Sequence, residues 1–100
     1  MSITEACPQT GLRSKHLYQQ LCNVIPGGVN SAGRAFKAVG LPPLIIERGR
    51  GAELFDVDGR SYYDYCLSWG ALIHGHANPA VLEKVRAQLE KGTTYGLSCP

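Results

Sequence analysis

Apolar residues recur at Leu17, Leu21, Val24 and Ile25, spacings of three and four that set one apolar stripe on a helix. Ser14 ahead of them suits an N-cap, and Pro26-Gly27-Gly28 ends the element. The pattern then shortens. Leu44-Ile45-Ile46-Glu47-Arg48 predicts a strand, and Gly49-Arg50-Gly51 a turn after it. A second strand is expected from Ala52 to Val57, with Leu54 between the charged Glu53 and Asp56. Asp58-Gly59 is the strongest hairpin signal in the chain. Ser61 to Cys66 follows as a third strand, whose Tyr62, Tyr63 and Tyr65 suit packing on a pleated surface. Links this short predict an antiparallel meander. Helical spacing returns at Val81, Leu82, Val85 and Leu89. Asn78 stands at its N-cap, Pro79 at its first position, Lys91 in its last turn and Gly92 just beyond.

The fold class expected is α+β: an N-terminal helix, a three-stranded antiparallel meander and a second helix. Two extended loops, 26–43 and 67–77, separate these elements, and residues 1–13 read as a loose leader. One hundred residues make at most one domain. So much loop is unusual in a small free-standing domain. It suggests that the loops pack against something this chain does not contain.

The formal net charge of +2 comes from 10 basic and 8 acidic residues scattered along the chain. That balance is too even for the concentrated basic patch of a nucleic-acid binder. Cys7, Cys22, Cys66 and Cys99 form no C-x-x-C pair, and the first ten residues carry no secretory h-region, so four reduced thiols are expected. No apolar run approaches the length that spans a bilayer. Together these features predict a soluble, cytoplasmic protein with no nucleic-acid or membrane partner.

The candidate chemistry lies in the two loops. Residues 26–37 bring Asn30, Ser31 and Arg34 close together on a glycine-rich backbone. Gly27, Gly28 and Gly33 fit neither the P-loop nor the G-x-G-x-x-G spacing, but they would let the backbone approach a ligand. The planar fork of Arg34 suits a carboxylate or phosphate, and Ser31 could add a hydroxyl donor. Loop chemistry alone leaves an anion grip and a solvated charge as equal readings. Trp69, between Ser68 and Gly70, is either core filling or an apolar pocket wall. His74 and His76 lack a third ligand of the kind a zinc site needs, so no metal site is assigned and structural roles are expected. The carboxylates read as single surface charges, and Lys15, Lys37, Lys84 and Lys91 lack the apolar setting of a Schiff-base lysine. The chain therefore shows ligand-gripping features without a catalytic engine.

Pro26-Gly27-Gly28-Val29-Asn30-Ser31, with Arg34-Ala35-Phe36-Lys37, closely resembles the glutamate-1-semialdehyde 2,1-aminomutase family. The resemblance continues through Gly51 to Gly59, Tyr63-Asp64-Tyr65 and Ser68 to Pro79, and covers about residues 14–98. Asp56-Val57-Asp58-Gly59 and Gly75-His76-Ala77 with Pro79 belong to the wider class III aminotransferases, whereas residues 26–37 and Ser68-Trp69-Gly70 are more specific. The resemblance implies a pyridoxal phosphate enzyme of transferase fold type I, passing through the pyridoxamine phosphate form. It implies a homodimer at full length and the conversion of glutamate-1-semialdehyde to 5-aminolevulinate for tetrapyrrole (porphyrin) biosynthesis. Ser31 and Arg34 would bind the substrate carboxylate and Trp69 would line the pocket. The Schiff-base lysine, the phosphate-binding loops and the aspartate at the pyridine nitrogen are expected beyond Pro100. No catalytic or cofactor-binding residue is assigned within the chain, which alone is expected not to turn over substrate.

Three short stretches depart from the family pattern. Ala32-Gly33 replaces a proline and a bulkier residue, Asn78 stands where histidine is common, and Cys99-Pro100 is less typical. Two alternatives stay open: another class III aminotransferase or racemase with the same meander, and a non-catalytic stand-alone binding module.

Overall fold

The computed structural model describes residues 11–100. The first ten positions of the expected leader, with Cys7, lie outside the described residues. The chain divides into two units, one holding the chain up to Arg48 with Leu54–Tyr62, the other Gly49–Glu53 with Tyr63–Pro100.

In the first unit α1 spans Leu12–Val24. Its N-cap is Gly11, which offers no side chain to the orphan amides, and the expected cap Ser14 sits inside the first turn, buried. The capping oxygens come instead from the hairpin. The Asp58 carboxylate accepts the N–H of Gly11 at 2.9 Å, the N–H of Ser14 at 3.3 Å, and the Ser14 hydroxyl. A carboxylate suits this place because it satisfies several donors at once and its charge complements the positive end of the helix. Arg13 adds a hydrogen bond from Nη1 to the Val57 carbonyl at 3.1 Å. On the stripe Leu17, Leu21 and Ile25 are half-buried while Val24 is exposed. Pro26 ends the helix as expected. The following loop is more ordered than its glycine content suggested, forming three 3-10 turns, Pro26–Gly28, Ala32–Ala35 and Lys37–Val39. The first lies tightly on α1: a Cβ at Gly28 would stand 2.5 Å from the Tyr18 ring and 2.8 Å from Cys22 Sγ. Only glycine tolerates that approach.

The expected meander is present, with β1 Ile46–Arg50, β2 Glu53–Asp56 and β3 Ser61–Tyr63 in the order β1-β2-β3. Five of the six strand ends move, by one to three residues; β1 starts at Ile46 rather than Leu44, and β2 is shorter by one residue at each end. β1 continues through Gly49 and Arg50, which the sequence had assigned to a turn. β3 stops at Tyr63: the Asp64 amide still donates to the Ala52 carbonyl at 2.8 Å, in register with the hairpin, while the Asp64 side chain is held by His76. The tyrosines, expected as packing residues, do not behave alike. Tyr62 is half-buried, whereas Tyr63 and Tyr65 are exposed.

In the second unit α2 spans Pro79–Leu89 and starts as the sequence predicts. The Asn78 side chain accepts the N–H groups of Ala80 and Val81 at 3.1 and 3.3 Å. Lys91 falls just past the helix, and Arg86 is the basic residue of the last turn. The stripe forms, but Val81, Val85 and Leu89 remain exposed. Among the described residues the buried apolar side chains are those of Ala35, Pro43 and Val57.

Candidate functional site

The first cluster is a 3-10 turn. Ser31 is extended, its carbonyl accepts the Arg34 N–H at 3.0 Å, and Ala32–Ala35 coils between them. The i to i+3 bond thus brings Ser31 and Arg34 onto one exposed turn. Arg34 Nη1 donates to Asn30 Oδ1 at 2.5 Å, which fixes one arm of the guanidinium. Among the described residues no carboxylate pairs with Arg34. A guanidinium has five donors, so a held fork without its own counter-ion can take a carboxylate from outside. Two hollows flank the turn. One has Leu21, Ile25, Leu44 and Ile45 as apolar walls with Asn30 and Arg34 among its lining. Ser31 and Lys37 line the other.

The second cluster lies in the other unit, around Trp69. Leu67, Ser68 and Trp69 have φ of 47°, 53° and 62°, and Gly70 follows at 87°. Three successive non-glycine residues in the left-handed region carry about 1–2 kcal/mol of strain each. Trp69 is 86% exposed, so it is not core filling within this unit.

The expectation that the carboxylates are single surface charges is corrected. Asp56 is 2% exposed and accepts the N–H of Asp58 at 3.0 Å, the N–H of Arg60 at 2.8 Å and the Tyr62 hydroxyl at 2.9 Å. Burial, with the hydrogen bond to Asp56, pushes the Tyr62 phenol above its ordinary value. Asp64 has a side chain 7% exposed, and its Oδ2 lies 2.6 Å from His76 Nε2. Asp64 Oδ1 accepts the N–H of Cys66 and of Leu67, each at 2.9 Å. The hydrogen bond from His76, then the Leu67 amide, hold the Asp64 carboxyl below its ordinary value against the opposing effect of burial. His76 is thus tied to Asp64, a partner that the sequence analysis did not single out. A signal was available in the proximity of Asp64 to a loop whose amides need acceptors, but histidines spaced by one residue draw attention to metals first. No group of three or more metal-ligating side chains is present among the described residues.

The sequence model of the family Aminotransferase class-III matches residues 36–98. Over 79 residues the chain is 56% identical to glutamate-1-semialdehyde 2,1-aminomutase 2 of Bacillus mycoides (strain KBAB4), covering 79% of this chain and 18% of that protein. A solved transaminase with PLP bound superposes with a TM-score of 0.76 at 34% identity, over 100% of this chain and 21% of that one. A glutamate-1-semialdehyde-aminomutase from Pseudomonas aeruginosa PAO1 superposes with a TM-score of 0.74 at 28% identity, over 87% of this chain and 19% of that one; a variant of it has been solved in complex with PMP. The chain spans about a fifth of the length of the curated relatives it matches. With the class-III model matched over more than half of its residues, and the expected helix–meander–helix order in place, the chain belongs to the class-III aminotransferase family.

Proposed function

We propose that this chain is part of a pyridoxal-phosphate-dependent aminomutase that converts glutamate-1-semialdehyde into 5-aminolevulinate, on the route to tetrapyrroles. The observation that carries this reading is the identity of 56%, 52% and 55% to three curated relatives that are named glutamate-1-semialdehyde 2,1-aminomutases. Residues 14–100 would form the N-terminal part of that enzyme. The outward apolar face of Val81, Val85 and Leu89 supports this, since the rest of a relative-length chain would cover it.

Substrate and product of this reaction share one carboxylate that takes no part in bond making. Arg34, with its fork held by Asn30, and Ser31 on the same turn would grip that group and fix the register of the molecule. Trp69 would supply an apolar wall against the carbon chain. The described residues do not themselves fit the cofactor. Lys15, Lys37, Lys84 and Lys91 are all exposed, and the buried carboxylates Asp56 and Asp64 each already accept three hydrogen bonds. No catalytic step is therefore assigned to them, and the lysine and the cofactor's anchors would lie beyond Pro100. We read the whole enzyme as a cytoplasmic homodimer acting on a small molecule, and no described helix is long and apolar enough to cross a membrane.

A second reading, an external transaminase, is favoured by the fit of the PLP-bound transaminase over the whole chain. One assay separates the two. The full-length protein is given glutamate-1-semialdehyde with no other amino donor or acceptor. Formation of 5-aminolevulinate supports the aminomutase. Turnover only after a keto acid or amine is added refutes it.

A further inference from the structure

We propose that Asp64 and His76 act as one positioning couple that sets where Trp69 stands. The inference rests on the reading of Trp69 as a substrate-facing wall.

The starting point is the strain at Leu67, Ser68 and Trp69, all at positive φ. Such a turn persists only where its surroundings over-determine it. Side-chain burial does not do so here, because Ser68 and Trp69 are exposed. Hydrogen bonds do. The N–H of Trp69 donates to the Cys66 carbonyl at 3.0 Å, and the N–H groups of Gly70 and Leu72 donate to the Leu67 carbonyl at 3.2 and 3.1 Å. The entry to the turn is held from outside, by Asp64 Oδ1 accepting the amides of Cys66 and Leu67. The two amides anchor Oδ1, and the second oxygen carries a partner of its own. That partner is His76, at 2.6 Å from Oδ2.

His76 is in turn immobilised. Its N–H donates to the Gly51 carbonyl at 2.8 Å and its carbonyl accepts the Gly51 N–H at 2.9 Å. Its ring lies directly on Gly49, where a Cβ would meet Cγ at 2.6 Å and Nδ1 at 2.8 Å. The order of support runs from the space at Gly49, to the His76 ring, to Asp64, to the amides of 66 and 67, and so to the turn that carries the indole. None of Gly49, His76 or Asp64 needs to touch substrate for this to matter, since a displacement of about 1 Å at a binding wall can cost up to a hundredfold.

The test uses the full-length enzyme with His76→Ala, His76→Gln, Gly49→Ala and Trp69→Ala. KM and kcat for the aldehyde substrate are measured, together with acrylamide quenching of Trp69 fluorescence taken by difference from Trp69→Phe. His76→Ala and Gly49→Ala are expected to raise KM about tenfold, with kcat changed much less and the quenching of Trp69 altered in both. His76→Gln, which keeps an N–H donor for Asp64, is expected to restore most of the loss. Trp69→Ala is expected to raise KM and to make His76→Ala silent in the double variant. Should His76→Ala fail to fold, Gly49→Ala carries the same readouts. If Trp69→Ala leaves KM unchanged, the wall reading fails, while the quenching data still judge the couple. If Trp69→Ala raises KM but His76→Ala and Gly49→Ala leave KM and quenching at the parental values, or lower only thermal stability, the positioning couple is overturned and the wall reading stands.

Discussion

Replacing Asp56 by alanine should open the hairpin locally. Its carboxylate takes three hydrogen bonds at 2.8–3.0 Å in a site only 2% exposed. A hydrogen bond to a charged group contributes about 1.5–3 kcal/mol, so the gross loss is about 4.5–9 kcal/mol. Asp58 and Arg60 are only half-buried, and water can replace part of what their amides lose. A net cost of about 3 kcal/mol follows. That corresponds to local opening, and hence amide exchange, about a hundredfold faster. Asp56→Asn keeps an oxygen for the two amides and turns an NH₂ to the Tyr62 hydroxyl, which can accept instead of donate. Its cost should be about 1 kcal/mol. Hydrogen exchange followed by mass spectrometry over residues 53–63 of the full-length protein reads both variants. Equal exchange in the parent and Asp56→Ala, or an Asn variant as fast as the Ala variant, would refute the assignment of Asp56 as the hub of the turn.

Asp58→Ala should speed exchange of the first-turn amides of α1, with a smaller effect from Ser14→Ala, since the serine supplies only part of what the carboxylate holds. Acid should destabilise the protein from about pH 4 downward. The Ser14 hydroxyl holds the Asp58 carboxyl, and the His76 hydrogen bond the Asp64 carboxyl, below the ordinary 3.8. The unfolded chain therefore takes up protons first as pH falls, and the stability present above 3.8 is lost through the lowered folded values. A melting temperature that falls less steeply below pH 4 in Asp58→Asn and Asp64→Asn checks the sign.

What the sequence made legible was local chemistry. Asn78-Pro79 announces α2 because both halves of the signal, an acceptor side chain and a missing N–H, act within three residues. Asp58-Gly59 announces the hairpin for the same reason. The second duty of Asp58, capping a helix 44 and 47 residues earlier in the chain, has no local trace, and Ser14 was the natural misreading. Ser31 and Arg34 were visible as a pair because the spacing of three is the spacing of a 3-10 turn. The Trp69 turn was not, since Leu, Ser and Trp disfavour positive φ; its local acceptor, Asp64, two and three residues before the amides of Cys66 and Leu67, is itself tied to the more distant His76. The tyrosine pattern misled in a different way. Residue type favours a half-buried strand surface, but β3 ends at Tyr63 and leaves Tyr65 exposed.

The most direct test of the central claim is the steady-state kinetics of Arg34→Ala in the full-length enzyme with glutamate-1-semialdehyde. Losing a charge-assisted grip on a carboxylate that does not react should lower kcat/KM about a hundredfold, chiefly through KM. Arg34→Lys should lose less, because it keeps the charge and gives up the fork. A kcat/KM for Arg34→Ala equal to that of the parent would contradict the carboxylate grip, and with it the substrate-facing role of residues 26–37.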